Sequence, residues 1–416
     1  MHEVQKGESV PGIVHQYLPQ TIYMTGSELE SALRKANDVK GLWPKPGTNL
    51  VIPGFQPGPW VEKSSPVAKD FEIRAVYLTG TMAGSARGLQ IIRQWRDAGG
   101  NAVVFDIKDS DGLVNVPFAH PLAPVTKNPP LRNLAKFTHY VHSLGMRAIA
   151  RVAIFRDEHM AVHHPELSVR SRRSGEAWKE NGKLVWTDPS RPEIWDYNIA
   201  LARYAAENGS DEVQFDYVRF PAEGDQKDAR FNFETTHPDW KRSDVIAHFL
   251  EKAHLEMKQR GVLLSLDVFG VMAWQRPVDL SHTGQDIVLM AKHCDVLSPM
   301  IYPSHFFGMD GYAMPGDAPE HFIGESMERF QKITAGTGVV LRPWLQAFGW
   351  KTKTYSPGYI VTQVRASKEK GGIGFLFWNA RNDYSKPFVA MPEMRATPGK
   401  FFRGDEVTNP RAVSGT

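Results

Sequence analysis

Two carboxylates lie inside otherwise apolar strings of this chain. Asp216 falls in Val213-Gln214-Phe215-Asp216-Tyr217-Val218 and Asp267 in Leu264-Ser265-Leu266-Asp267-Val268-Phe269. A charge in such a setting is costly unless it is paired or used. On adjacent strands, the two carboxyl groups come within the range that glycoside hydrolysis needs, about 5 to 5.5 Å for retaining and about 6.5 to 9.5 Å for inverting chemistry. One then attacks the sugar or stabilises the developing oxocarbenium ion, while the other protonates the leaving oxygen. Asp216 and Asp267 are the expected catalytic pair, with the two roles open between them. Leu266, Val268 and Phe269 beside Asp267 favour a carboxyl that keeps its proton. In the competing reading, either carboxylate pairs with Arg151 or Arg219 and only organises its surroundings.

Further polar side chains fall at the ends of similar apolar runs: Asp106 and Lys108, Arg151, Arg219, Tyr302 with His305, Gln346, and Trp378 with Asn379. They are expected to hold substrate hydroxyls or to tune the carboxylates. Tyr217, Tyr302, Trp344 and Trp378, with Trp274 and Phe306 on the same rim, offer flat faces for pyranose rings. Two-carboxylate chemistry requires neither an organic cofactor nor a metal. His159 and His163 are spaced for one helical face but lack an acidic partner, and Asp109-Ser110-Asp111-Gly112 reads as a turn rather than a calcium loop. No Gly-x-Ser-x-Gly elbow and no phosphate-cradling Walker pattern occurs, which disfavours serine hydrolase and nucleotide chemistry.

These residues need a scaffold that brings many strand ends to one place. Eight apolar runs rich in β-branched and aromatic residues supply it: Ile73 to Thr79, Ala102 to Ile107, Ala148 to Ile154, Glu212 to Phe220, Leu263 to Phe269, Val296 to Tyr302, Leu341 to Phe348 and Ile373 to Trp378. Between most of them lies a stretch with helical spacing, as in Leu131, Leu134, Phe137, Val141 and Leu144. Eight such units over 71–390 predict an α/β fold, a (β/α)8 TIM barrel whose C-terminal mouth carries the site. The connections after the third and fourth runs are long, as functional loops are. Residues 1–54 read differently, as strand, helix, helix, strand, with a capping-box spacing from Ser27 to Glu30. The Pro- and Ser-rich stretch 55–70 reads as a linker, and 391–416 as a loosely ordered tail.

Composition bounds the alternatives. The 416 residues carry 49 Lys and Arg against 46 Asp and Glu, a net charge of only +3, and the basic residues are dispersed apart from Arg170, Arg172 and Arg173. Nucleic acid is therefore not an expected partner. No uninterrupted apolar stretch is long enough to span a membrane. The single cysteine, Cys294, forbids an internal disulfide and reads as a core residue. The Met-His-Glu opening has no signal-like apolar region, so the chain is either cytosolic or written without an export signal.

Two resemblances sharpen these expectations. Val4-Gln5-Lys6-Gly7-Glu8-Ser9, Ala36-Asn37, Lys45-Pro46-Gly47 and Leu50-Val51-Ile52-Pro53 resemble a LysM module. That resemblance implies a small βααβ domain binding peptidoglycan or another N-acetylglucosamine-containing glycan. Four blocks, Asn101 to Asp109, Asp211 to Pro221, Ser298 to His305 and Arg342 to Gln346, look like those of a bacterial barrel family known as putative glycoside hydrolases, long labelled as of unknown function. The resemblance covers about Phe71 to Asn382 and implies an exported enzyme of the periplasm, envelope or extracellular space, acting on a polysaccharide. Asp216 matches the place where several retaining α-glycosidase families keep their nucleophile; Asp267 as the acid rests on analogy with amylase-like barrels. Two other classes remain open: a non-catalytic glycan-binding scaffold, which would release no product, and a deacetylase, transglycosylase or lyase, marked by a metal requirement or non-hydrolytic products.

Overall fold

The computed structural model describes residues 1–403. The eight expected runs form eight parallel strands: β1 (Ile73–Leu78), β2 (Ala102–Lys108), β3 (Arg147–Ala153), β4 (Glu212–Asp216), β5 (Leu263–Phe269), β6 (Val296–Ile301), β7 in two pieces (Val340–Leu341 and Trp344–Gln346) and β8 (Gly374–Trp378). Each pairs with its neighbours in sequence order, and β8 closes on β1 with Gly374 opposite Ile73. The fold is a closed (β/α)8 barrel. Pro343, which has no N–H to give, splits β7, yet its carbonyl still accepts from Leu376.

Alternation divides the strand residues between two cores. Val76, Leu78, Val103, Phe105, Val152 and Phe215 pack outward against the helices. Inside, Ile73, Ala75, Ala102, Val104, Ile149 and Leu376 make one half of the lumen apolar. The other half is polar: Glu212 and Arg342 form a buried ion pair at 2.8 Å, and Gln214 donates to Ser298 at 3.2 Å. Cys294 is buried, as expected.

Three boundaries differ from the sequence reading. The fourth strand ends at Asp216 rather than Phe220, because Tyr217 takes a left-handed conformation with φ 53° and turns the chain out of the sheet. The last helix, Ser385–Ala396, runs past position 391, and Arg403 still donates from its backbone to Glu72 at 2.5 Å; the remainder of the expected tail lies outside the described residues. The capping box near the N-terminus belongs to Thr25 and Glu28, two residues earlier than expected, while Glu30 pairs with Arg34 one turn on.

The two long connections fold on each other. Arg170–Ser171 pairs antiparallel with Ala229–Arg230, and the buried Asp188 carboxylate accepts from the Asn232 N–H at 2.6 Å. Together they wall the mouth above β3 and β4. Residues 1–54 show the order strand, helix, helix, strand: His2–Glu3 pairs with Asn49–Leu50 around helices Val10–Tyr17 and Gly26–Asn37. They enclose a small core of their own, including Val10, Ile13, Leu29 and Leu33.

Candidate active site

Arg151 is the centre of the barrel mouth. It points inward from β3, and its guanidinium meets carboxylates from three strands. Nη1 lies 2.5 Å from Asp106 Oδ1 on β2, Nη2 lies 2.6 Å from Asp216 Oδ2 on β4, and Nε lies 3.8 Å from Asp267 Oδ2 on β5. Register explains the convergence: Asp106 stands opposite Arg151, and Phe215 stands opposite Leu266, so Asp216 and Asp267 are level on adjacent strands. A fourth carboxylate, Asp109, reaches Arg151 Nη1 at 3.3 Å from the loop after β2.

The carboxyl groups differ in what surrounds them. Asp216 accepts from Arg151 and, at 2.6 Å, from the Tyr217 N–H, and it is 7% exposed. Asp267 is 1% exposed and accepts from the Trp344 indole at 2.7 Å. Burial drives its carboxyl well above the usual range, and the Asp216 charge pushes the same way against the opposing pull of Arg151. Asp106 accepts from the Tyr77 hydroxyl and from Arg151; burial nevertheless raises it to about 7. One guanidinium thus faces several carboxyl groups, two of which favour the protonated form.

Several residues expected at the substrate are placed elsewhere. Lys108 is fully buried, 2.7 Å from Asp157 and over the Tyr197 ring. A β-bulge between Asp106 and Lys108 sets Lys108 opposite Val152, so strand parity flips and the ammonium faces the helical layer. Gln346 spends its amide on the loops, accepting from Ser304 N–H at 3.1 Å and donating to Phe348 and Thr352. Asn379 likewise donates to Ala347 at 2.6 Å and accepts from Arg381 N–H at 2.8 Å. Trp344 is 1% exposed, so it serves Asp267 as a donor rather than as a sugar platform. Trp274 and Phe306 pack on one another and on Arg329 and Phe322 of the outer helix Pro319–Ile333.

Tyr302, Trp378 and His305 do gather at the mouth. Trp378 stacks on Tyr77 with ring centroids 6.3 Å apart and lies 5.7 Å from Tyr302, which in turn lies 5.4 Å from His305. A cavity of about 610 Å³ opens beside them, lined by His305, Phe348, Trp350, Tyr355, Trp378 and Arg381. Across the mouth, Tyr217 and Arg219 stand with Trp186 and Phe269. Sequence reasoning missed Tyr77, Asp109, Phe348 and Trp350. Tyr77 was findable, since it shares inward parity with Ile73 and Ala75; Asp109 and Trp350 lie in loops, where no periodicity applies. His159 and His163 stack at 4.0 Å on a six-residue helix, and among the described residues no group of three or more His, Cys, Asp or Glu side chains is gathered to hold a metal.

Comparison with known proteins supports the barrel fold and a glycosyl hydrolase family. A family model described as "Putative glycosyl hydrolase domain" matches residues 75–384. No curated protein sequence matches the chain. Among solved structures, the glycoside hydrolase domain of PgaB (BpsB) from Bordetella bronchiseptica is similar over 80% of this chain and 99% of its own, at 14% identity and a TM-score of 0.56. The GH36 α-galactosidase AgaB from Geobacillus stearothermophilus aligns over 80% of this chain and 42% of its own, at 12% identity and a TM-score of 0.50. Both likenesses are of fold. A hypothetical protein from Ruminiclostridium thermocellum is 33% identical over 46% of this chain and 97% of its own, with a TM-score of 0.39.

Proposed function

The chain belongs to the family of glycosyl hydrolase domains whose model it matches, and from that premise we propose that it is a retaining glycosidase acting on an envelope or extracellular polysaccharide. The observation that carries the mechanism is the pair of level carboxyl groups, Asp216 and Asp267, on one guanidinium but with different hydrogen-bond partners. In the first step Asp216 attacks the anomeric carbon. The glycosidic bond breaks, and the leaving oxygen takes the proton that burial holds on Asp267. In the second step Asp267 takes a proton from water, which displaces Asp216 and restores both groups. Arg151 keeps Asp216 oriented, and Tyr302 and Trp378 face the ring. Residues 1–54, by their resemblance to a LysM module, would hold the enzyme on a glycan and raise the local concentration of cleavable chain. Such a substrate lies outside the cytoplasm, so export belongs to this reading.

Incubation with bacterial exopolysaccharides, peptidoglycan and chitin, followed by mass spectrometry of soluble products, tests it. Wild type is expected to release fragments carrying one added water per cut, and Asp216→Asn to lower release by at least about 10³-fold while still binding the polymer. Equal pull-down of both proteins with no release from any polymer would instead mark a binding scaffold whose carboxylates only pair with Arg151.

A further inference from the structure

One feature of the mouth is left unused by two-carboxylate hydrolysis. Arg219 is only 9% exposed, and its guanidinium is boxed by rings: Phe269 at 4.4 Å, Trp186 at 4.7 Å and Tyr217 at 5.5 Å from Cζ. Its one hydrogen bond goes to the Phe220 carbonyl at 3.1 Å. Arg156 lies over the same Tyr217 ring at 5.6 Å and donates to the Ser110 hydroxyl. Among the described residues neither guanidinium has a carboxylate oxygen within 4.0 Å; Asp216 and Glu180 act on Arg219 only through space. The indole N–H of Trp186, whose ring lies against Arg219, is buried and has no acceptor. Two guanidinium groups without a carboxylate partner, and one indole N–H without an acceptor, therefore stand near the end of β4, beside the carboxylate assigned as nucleophile.

Burying a guanidinium without a counter-charge is unfavourable, and ring contacts offset only part of that cost. Burial accordingly pulls Arg219 down to about 10. The other two buried arginines among the described residues, Arg151 and Arg342, both pair with carboxylates. Tyr217 also holds a left-handed backbone that an L side chain adopts at a cost, and its ring lies within 5.6 Å of both guanidinium groups. A planar fork with open N–H edges matches a carboxylate bidentately.

We infer that Arg219, with Arg156 and the Trp186 indole, forms a subsite for the carboxylate of an acidic sugar, so that the polysaccharide is an anionic one. The inference rests on the glycosidase reading for its place beside Asp216, but the subsite can be tested without turnover.

The full-length protein is titrated with hexasaccharides of glucuronate-, galacturonate- and mannuronate-containing polymers and with the same oligosaccharides after carboxyl reduction, followed by tryptophan fluorescence and calorimetry. At least one uronate ligand is expected to bind about tenfold more tightly than its reduced form, with the preference shrinking as salt rises. Arg219→Lys, which keeps the charge but loses the fork, and Arg156→Gln, at a partly exposed position, are each expected to narrow the preference by weakening the acidic ligand more than its reduced form. Thermal unfolding checks that both variants fold. Equal binding of acidic and reduced forms, no binding of any uronate ligand, or variants that weaken both forms alike would overturn the subsite. Asp216-dependent cleavage of neutral polymers without this preference would sink the subsite and leave the glycosidase standing; uronate preference without product release would do the reverse.

Discussion

At the scale of single residues, the site is governed by a shortage of positive charge. Among the described residues, Arg151 is the one guanidinium that meets Asp106, Asp216 and Asp267, all buried in the lumen. Full ionisation would leave negative charge uncompensated at low dielectric, so the least solvated carboxyl groups keep protons. Asp267 retains one although the Trp344 indole, donating to Oδ1, favours its charged form. Removing that donor therefore raises the proton affinity of Asp267 further. Trp344→Phe is expected to move the basic limb of the kcat/KM profile upward, because the acid stays protonated to higher pH. The pH–rate profile of the variant checks this, and a limb that moves down or not at all would remove Asp267 from the acid role. Proton binding at Asp106 has a stability consequence. A carboxyl raised on folding binds its proton more tightly in the native state, so between the ordinary carboxylate range and about pH 7 the contribution of Asp106 weakens as pH rises.

At the scale of elements, a bulge and a left-handed residue decide which side chains reach the mouth. Asp157→Asn would leave the Lys108 ammonium buried without its counter-charge and is expected to destabilise the barrel by about 3 kcal/mol, read from denaturant unfolding. The pair faces the helices, so kcat should change little in the variant. A large loss of kcat at unchanged stability would return Lys108 to the substrate. This element also shows what could be read beforehand. Eight strands were legible because parallel barrel strands are continuous apolar runs, and Asp106, Arg151, Asp216 and Asp267 were legible because charges interrupt those runs. Lys108 was misplaced because polar side chains at strand ends were expected to point into the mouth, and the bulge at Ile107 turns this one outward. Gln346 and Asn379 stand at the expected strand ends, but their amides serve loop carbonyls and N–H groups that have no sequence signature. Tyr217 was read as strand because its neighbours are apolar; only its backbone angle shows that the sheet ends one residue earlier.

At the scale of the whole molecule, the Pro- and Ser-rich stretch after residue 54 has a linker's composition but is tied to the barrel's flank. Trp60 lies 5.2 Å from the His139 ring of the barrel and donates to the Pro19 carbonyl at 2.8 Å, while Lys136 and Arg93 of the barrel reach the Leu18 carbonyl and Glu28 in residues 1–54. The Glu62 carboxylate meets His139 at 2.8 Å and His142 at 2.7 Å, and His142 meets Asp211 at 2.9 Å; Arg147 holds the Ser65 carbonyl nearby. His142 is desolvated, but its bonds to two carboxylates win and raise it to about 9; Glu62, also desolvated, is lowered to about 2 by the two imidazoles. The signs are opposite. The His142 contribution is complete below its ordinary value near 6.5 and disappears as pH rises through about 9, whereas that of Glu62 is complete above about 4.5 and disappears as pH falls through about 2. Attachment should therefore be strongest between roughly pH 4.5 and 6.5 and loosen in mild alkali. Limited proteolysis is expected to leave 55–70 protected at pH 6 and to cut there increasingly above pH 9. His142→Gln should cut readily at pH 6 and show little further change with alkali. If wild type and variant are cut alike across the range, the imidazole does not hold this stretch, and the Trp60 indole with the Arg147 contact to the Ser65 carbonyl carries the attachment instead.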